Sequence, residues 1–205
     1  MLDVHALTCE RGDRILFESL SFSLAPGSLL YVEGRNGSGK TTLLRSLCGL
    51  FLPSAGEIRW QGEDIRRLGE DYRRHLLYLG HHNGIKLELT PQENLRVAAT
   101  LDGEPATAAA IDEALARIGL RGFEDIPARM LSQGQKRRVA LARLLLTGTR
   151  LWVLDEPFTA LDVAAVEQLQ EIIAAFIAEG GMVVLTTHQE VALTSGQIQH
   201  IILEG

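Results

Sequence analysis

The sequence has 205 residues, a mass of 22.5 kDa and 46% apolar residues, which is enough for the core of one α/β domain with a small additional lobe. Its net charge of −6 lacks the basic excess of most nucleic-acid-binding proteins, so we expect no nucleic-acid partner. No apolar run reaches the roughly 18 residues that cross a bilayer, and the first residues lack the core of a signal peptide, which predicts a cytoplasmic chain. Cys9 and Cys48 are expected to stay reduced, since Cys48 lies in an apolar helical run.

The first part of the chain predicts short strands followed by one helix. Residues 21–24 alternate between polar and apolar before a turn at Pro26-Gly27, and "SLLYVE" then predicts a more buried strand. Leucines at 43, 44, 47 and 50 have the spacing of one helix face. Further strands are expected at "SAGEIRWQG" and "HLLYLG".

The second part predicts four helices and three strands. Thr90-Pro91, with Glu93 two residues further on, indicates a helix from there to about Ala99, and "ATAAAIDEALARIGL" predicts a second. A third helix is expected within "LSQGQKRRVALARLLLTG" and is expected to end at Gly148. The strand "LWVLDE", a long helix starting at Asp162, and the strands "MVVLTT" and "IQHIILEG" complete the chain. Alternating strands and helices favour a mainly parallel sheet, with a helical lobe inserted at about residues 83–130.

The segment "VEGRNGSGKTTLL" matches the phosphate-binding loop G-x-x-x-x-G-K-[ST] between a predicted strand and a predicted helix. The glycines allow backbone N–H groups to turn towards a β-phosphate, Lys40 is placed to reach the β- and γ-phosphates, and the Thr41 hydroxyl is a ligand for Mg²⁺. We therefore predict that the chain binds the phosphates of a nucleotide together with Mg²⁺. The predicted nucleotide-binding residues here are Gly34, Arg35, Asn36, Gly37, Ser38, Gly39, Lys40, Thr41 and Thr42.

Two acids end the buried strand "LWVLDE", where a charge usually has a functional reason. Asp155 is predicted to bind Mg²⁺, directly or through water, and Glu156 to act as general base on the attacking water. His188, just past "MVVLTT", is a candidate contact for the γ-phosphate. The alternative for the two acids is a solvated strand end.

The segment "LSQGQKRR" offers a second anion-binding helix start, because Ser132 is a helix cap and Gly134 permits close approach of backbone. With the P-loop, "LWVLDEP", "TALD" and a strand-terminal histidine in this order, the chain resembles the ATP-binding cassette (ABC) ATPases over nearly its whole length. The resemblance implies a P-loop fold with a mixed, mainly parallel core sheet, an N-terminal antiparallel β-subdomain and an inserted helical subdomain. The implied boundaries are 1–82 with 131–205 for the core and 83–130 for the helical subdomain.

The resemblance also implies a head-to-tail homodimer that encloses two ATP molecules. Catalytic roles fall on Lys40, Glu156 and His188, and Asp162 would cross the dimer interface. The signature segment would contact the γ-phosphate bound by the partner through Ser132, Gln133, Gly134 and Gln135.

The sequence departs from the family at a position that usually holds a glutamine that contacts Mg²⁺ and couples to the partner. Here it is His81, or His82 if a gap shifts the alignment. The ordinary pKa of a histidine side chain is about 6.5, whereas a glutamine side chain does not titrate. We therefore predict that ATPase activity falls more steeply below about pH 7 than in a His81→Gln variant, and superimposable pH profiles would refute this. A solvent-facing loop histidine is the alternative.

A second departure lies at Arg11, where the family usually stacks an aromatic ring on adenine. A guanidinium plane also stacks on a base but buries less apolar area, which predicts weak selectivity between ATP and GTP. The alternative is an Arg11 that only lies on the surface.

Several segments resemble the ATP-binding subunits of cytochrome c maturation systems in Gram-negative bacteria: "LGHHNGIK", "ELTPQENL", "GFEDIP" and "LDEPFTALD". That resemblance implies membrane partners of the CcmB, CcmC and CcmD type, a peripheral location on the inner face of the inner membrane, and release of the haem-loaded chaperone CcmE. Direct haem binding is not expected, because neither cysteine lies in C-x-x-C-H. The alternatives are a lipoprotein-release or drug-export ATPase, a soluble ABC ATPase without a transport role, and a cassette without turnover.

Overall fold

The computed structural model describes residues 1–103, 105–187 and 196–204. Within them the chain forms two β-sheets and seven α-helices. The strands are β1 (Leu2–Arg11), β2 (Arg14–Leu24), β3 (Ser28–Gly34), β4 (Ala55–Trp60), β5 (Glu63–Asp64), β6 (Leu76–Leu79), β7 (Leu151–Asp155), β8 (Met182–Thr186) and β9 (Gln197–Leu203). The helices are α1 (Lys40–Leu47), α2 (Ile65–Leu68), α3 (Glu70–Arg73), α4 (Pro91–Leu101), α5 (Ala108–Arg117), α6 (Gln133–Leu141) and α7 (Val163–Ala178).

The core sheet has the order β6-β7-β8-β3-β9, and its neighbouring strands pair in parallel. All five residues of β7 and of β8 are buried, as expected for strands covered on both faces. Because parallel strands end at the same edge of a sheet, the segments that follow β3, β6 and β7 meet there. This edge brings together the P-loop, the His81 loop and the two acids of the strand "LWVLDE".

The second sheet has the order β2-β1-β4-β5 and is antiparallel. Side chains of β3 point alternately to the two faces of the core sheet, and each face carries its own hydrophobic cluster. Leu30 and Val32 pack in a cluster with residues of β1, β4 and α1, whereas Leu29 and Tyr31 point to the other face, into a cluster with residues of α5, α6 and α7. The expected α/β fold with an antiparallel N-terminal part is therefore confirmed.

Helices α4 and α5 lie in the predicted helical lobe. Thr90 caps α4 in the expected way: its hydroxyl accepts from the N–H of Glu93, whose carboxylate accepts from the N–H of Thr90. The buried Asn94 fixes the preceding loop, since its amide oxygen accepts from the N–H of Lys86 and its amide nitrogen donates to the Lys86 carbonyl. The boundaries of the lobe as a separate subdomain stay a prediction.

One local expectation was wrong, and two short helices were not predicted. The helix predicted to end at Gly148 ends at Leu141 and is followed by a 3₁₀ turn over Ala142–Leu145, which advances faster per residue while keeping Ala142 and Leu144 buried. The short helices α2 and α3, separated at Gly69, were not predicted because four residues are too few to show a helical period. Among the described residues, no helix is long and apolar enough to cross a membrane.

Candidate functional site

The P-loop turns tightly between β3 and α1 because three of its residues adopt backbone angles that favour glycine. The φ angles are 140° at Gly34, 83° at Gly37 and 103° at Gly39. A Cβ at position 34 would also meet the carbonyl of Leu203 and lie 2.6 Å from the Ser38 hydroxyl. The loop geometry therefore depends on these glycines, as the motif predicts.

Lys40 begins α1, and its ammonium group lies inside the loop. The Nζ donates to the carbonyl of Gly34 at 2.7 Å and to that of Arg35 at 3.1 Å, and the residue is 8% exposed. The hydroxyl of Ser38 is buried without a hydrogen-bond partner among the described residues. A buried cation and an unpaired hydroxyl in this loop form a site suited to an anion.

A cleft of about 390 Å³ lies over this loop and brings the predicted residues together. The lining residues are Arg11, Leu16, Asn36, Gly37, Gly39, Lys40, Thr41, Thr42 and Glu156. A neighbouring cleft of about 550 Å³ shares Thr41 and is lined by Arg45, Tyr78, His81, His82, Asn83, Arg143 and Asp155 among others. Thr41 therefore lines both clefts, whereas Glu156 lines the first and Asp155 lines the second.

Asp155, at the end of β7, is 3% exposed, and both of its oxygens accept hydrogen bonds. Thr41 Oγ1 donates to Oδ2 at 2.8 Å, and Thr186 Oγ1 donates to Oδ1 at 2.7 Å. The charge of Asp155 also acts on Tyr78, whose pKa is raised to about 12, mainly because burial disfavours the phenolate. The contact of Asp155 with Thr41 joins the two residues predicted as ligands of Mg²⁺.

Glu156 follows β7 with its side chain 27% exposed and lines the P-loop cleft. Its φ angle is +50°, in the left-handed region that non-glycine residues rarely adopt. The N–H of Glu156 donates to Thr186 Oγ1 at 2.9 Å. His81 Nδ1 lies 4.0 Å from Glu156 Oε2, and the ring meets that of His82 edge to face. Of the two histidines left open by the sequence, His81 is the one for which the structure records a contact with Glu156.

Arg137 on α6 is a residue that the sequence reasoning missed. It is 4% exposed and donates five hydrogen bonds, which link α6 to the His81 loop and to the residues around Glu156. Burial lowers the pKa of the guanidinium, and the charges of Asp155 and Glu156 oppose that shift. Its position four residues before the buried Leu141, on an otherwise apolar helix face, was the available signal. The acceptors are the carbonyls of Gly80, Asp155, Glu156 and Pro157 and the amide oxygen of Asn83.

The signature segment does not line either cleft of its own chain. Ser132 caps α6 as predicted, in a capping box: its hydroxyl accepts from the N–H of Gln135, and the Gln135 side chain accepts from the N–H of Ser132. A Cβ on Gly134 would lie 2.8 Å from the carbonyl oxygen of Ala160. The signature helix therefore packs directly against the "TALD" segment.

Asp162 reinforces this packing. Its carboxylate caps α7 by accepting from the N–H of Ala165 and forms an ion pair with Arg138 of α6 at 2.6 Å. Gln133 is exposed beside Ser132 at the same helix start. The structure thus groups Ser132, Gln133, Gly134, Gln135 and Asp162 on one surface, separate from the P-loop cleft of the chain.

The remaining predicted residues have distinct outcomes. Arg11 is exposed at the end of β1, opposite Arg14 in the β1–β2 hairpin, and lines the P-loop cleft. His188 lies outside the described residues. Cys9 and Cys48 are free and buried, as expected, and burial raises the pKa of both thiols.

Comparisons with known proteins agree with this fold. A model of the ABC transporter family matches residues 17–159. The cytochrome c biogenesis ATP-binding export protein CcmA of Nitrosomonas europaea is 56% identical over 203 residues, 99% of this chain and 95% of that protein. The protein of the same name from Dechloromonas aromatica is 53% identical over 98% of each chain. The solved dimeric structure of the bacterial ABC transporter cassette MJ0796 superposes with a TM-score of 0.85 at 25% identity, covering 98% of this chain and 94% of that one.

The chain therefore belongs to the ABC transporter family, and it is an ATP-binding, ATP-hydrolysing cassette. Within that family it belongs to the cytochrome c biogenesis ATP-binding export proteins CcmA.

Proposed function

We propose that ATP binds in the P-loop cleft and that Glu156 is the general base of hydrolysis. The observation that carries this proposal is the arrangement at one edge of the core sheet, where Glu156 and Lys40 line the same cleft and Asp155 is hydrogen-bonded to Thr41. In this arrangement, Lys40 and the backbone N–H groups of the loop neutralise the phosphates. Glu156 takes a proton from the attacking water, and His188 contacts the γ-phosphate, as the family resemblance implies.

The residues at the site suit Mg²⁺. Thr41 Oγ1 donates a hydrogen bond to Asp155 Oδ2 at 2.8 Å, so a hydroxyl and a carboxylate, oxygen ligands of the kind that Mg²⁺ prefers, lie side by side. When bound, the ion neutralises charge that develops on the phosphates. Thr41 would hold the ion directly, Asp155 would hold it directly or through water, and His81 would orient a water molecule beside it. Among the described residues, no three His, Cys, Asp or Glu side chains form a separate metal cage.

The composite site requires a second copy of the chain. The surface with Ser132, Gly134 and Asp162 lies outside both clefts of its own chain, yet it presents the start of α6 and its N–H groups. In a head-to-tail dimer this surface covers the ATP of the partner, and MJ0796, a similar cassette, is described as a dimer. The dimer closes on ATP and opens after hydrolysis, and these two motions perform the mechanical work.

We further propose that this motion acts on membrane subunits of the CcmB, CcmC and CcmD type, and that it drives release of the haem-loaded chaperone CcmE. The naming of the relatives as export proteins of cytochrome c biogenesis supports a membrane partner. The second cleft supports a binding position for the membrane partner, because this cleft opens beside residue 83, where the proposed helical subdomain of residues 83–130 begins. The chain is then peripheral on the inner face of the inner membrane, and haem is handled by the partners.

The test is purification of the detergent-extracted complex with the wild-type chain and with Glu156→Gln. We expect both chains to retain the membrane subunits, because Glu156 lines the nucleotide cleft. Haem-loaded CcmE is expected to be released on adding Mg²⁺-ATP to the wild-type complex and to stay bound in the variant. Equal release from both complexes would contradict the proposed coupling.

The position of Arg11 leads to a separate prediction about the base. Because Arg11 lines the cleft and its exposed guanidinium offers a flat face to either purine, we expect ATP and GTP to compete for binding with affinities within about tenfold of each other. An Arg11→Ala variant should bind both nucleotides more weakly, by a similar factor of about fivefold. Competition binding measures this, and an unchanged affinity in Arg11→Ala would show that Arg11 only lies on the surface.

A further inference from the structure

Glu156 adopts a backbone conformation that needs support from its surroundings. Its φ of +50° places a residue with a long charged side chain where glycine is usually found. Strained residues of this kind persist where neighbouring groups fix them, and they cluster at sites whose function depends on the position of one side chain. The groups that fix Glu156 therefore bear on hydrolysis.

Two buried side chains hold the peptide groups of Glu156 from different elements. Thr186 Oγ1, at the end of β8, accepts from the N–H of Glu156 at 2.9 Å. Arg137 Nη2, on α6, donates to its carbonyl oxygen at 2.9 Å. Thr186 is 0% exposed and Arg137 is 4% exposed, so water has little access to either hydrogen bond.

The Thr186 hydroxyl has a second task that Arg137 does not share. Its proton goes to Asp155 Oδ1 at 2.7 Å, while its lone pair takes the N–H of Glu156. The hydroxyl therefore acts as donor and as acceptor at once. Through these two hydrogen bonds, the orientation of the Asp155 carboxylate is coupled to the backbone position of Glu156. Valine has the same shape but neither capacity, and it would leave a buried N–H and a buried carboxylate oxygen without this partner.

We propose that Thr186 is a positioning residue for ATP hydrolysis, whose hydroxyl aligns Glu156 and Asp155 with the phosphate-binding loop. This inference rests on the proposed role of Glu156 as general base. Thr186 lines neither cleft, so it acts through the two acids and not by contact with the nucleotide. Misplacement of a catalytic group by about 1 Å costs on the order of 100-fold in rate, which sets the expected scale.

The experiment compares Thr186→Val, Thr186→Ala and Thr186→Ser by steady-state ATP hydrolysis and by ATP binding. We expect kcat to fall by about 10- to 100-fold in the valine and alanine variants, with the Kd for ATP within about threefold of wild type, because the P-loop contacts are intact. The serine variant restores the hydroxyl and should keep kcat within about threefold. Serine and alanine differ by a single oxygen, so their comparison decides the matter even if the valine variant does not fold.

Thr8→Val is the matched control. Thr8 is a buried strand threonine on β1 whose hydroxyl accepts the N–H of Ser19, a residue that also has positive φ, at +52°. A loss of melting temperature is expected in both valine variants, but a loss of kcat only in Thr186→Val. Wild-type kcat in the folded Thr186→Ala variant, with Glu156→Gln inactive, would overturn the inference. Wild-type kcat in Glu156→Gln would instead overturn the role of Glu156 itself.

Discussion

Replacing Glu156 with glutamine is expected to lower kcat for ATP hydrolysis by about 10²- to 10⁴-fold, the range typical of a lost general base. The carboxamide has nearly the same shape as the carboxylate, so the local packing is retained, but it does not accept a proton from water. Binding should be spared, because the phosphates are held by Lys40 and the backbone of the P-loop.

The measurement is steady-state hydrolysis combined with equilibrium binding of ATP, on Glu156→Gln and on Glu171→Gln. Glu171 is exposed on α7 and serves as the matched control, with expected activity within about twofold of wild type. A Glu156→Gln variant that hydrolyses ATP within tenfold of wild type would assign the proton transfer to another group. Loss of ATP binding in the variant would show that Glu156 helps to hold the nucleotide.

Replacing Gly134 with alanine is expected to lower kcat by about 100-fold while leaving ATP bound to the P-loop. The added Cβ would lie 2.8 Å from the carbonyl oxygen of Ala160, closer than atoms of this kind approach. Since the obstacle is backbone, either the start of α6 or the "TALD" segment has to move. Both are parts of the surface that we propose covers the ATP of the second copy.

Lys136→Ala is the control for this change, because Lys136 follows in the same turn of α6 and has no proposed role at the site. The two variants should have similar helix content by circular dichroism, with hydrolysis lost only in Gly134→Ala. Normal hydrolysis in Gly134→Ala would mean that the backbone around Ala160 shifts to accept the Cβ without loss of activity. Hydrolysis would then not depend on the position of the signature segment relative to "TALD".

The parts of the site that the sequence predicted are those that one continuous segment specifies. The P-loop needs only its glycines and Lys40 between a strand and a helix, and Asp155 with Glu156 ends an apolar run that is itself diagnostic. The capping residues Ser132 and Asp162 were found for the same reason, because a cap acts within three residues of itself.

The parts that the sequence did not predict depend on contacts between distant segments. Thr186 and Glu156 are 30 residues apart, and their hydrogen bond follows from the pairing of β7 with β8. Arg137 contacts residues on both sides of it in the chain, including Gly80, 57 residues away. A threonine at a strand end has no local pattern that distinguishes it, and Arg137, within a basic run, is marked only by its spacing from Leu141. The sequence therefore predicted the chemical groups of the site but not the residues that hold them in place.

The composite site is the central claim, and the mass of the Glu156→Gln chain in solution tests it most directly. Measured with saturating Mg²⁺-ATP and with Mg²⁺-ADP, the variant should be a dimer with ATP and a monomer with ADP, because only ATP presents a γ-phosphate to Ser132 and Gly134 of the second copy. A monomer in both conditions with ATP bound, and a single copy of the chain in the detergent-extracted complex, would contradict the account.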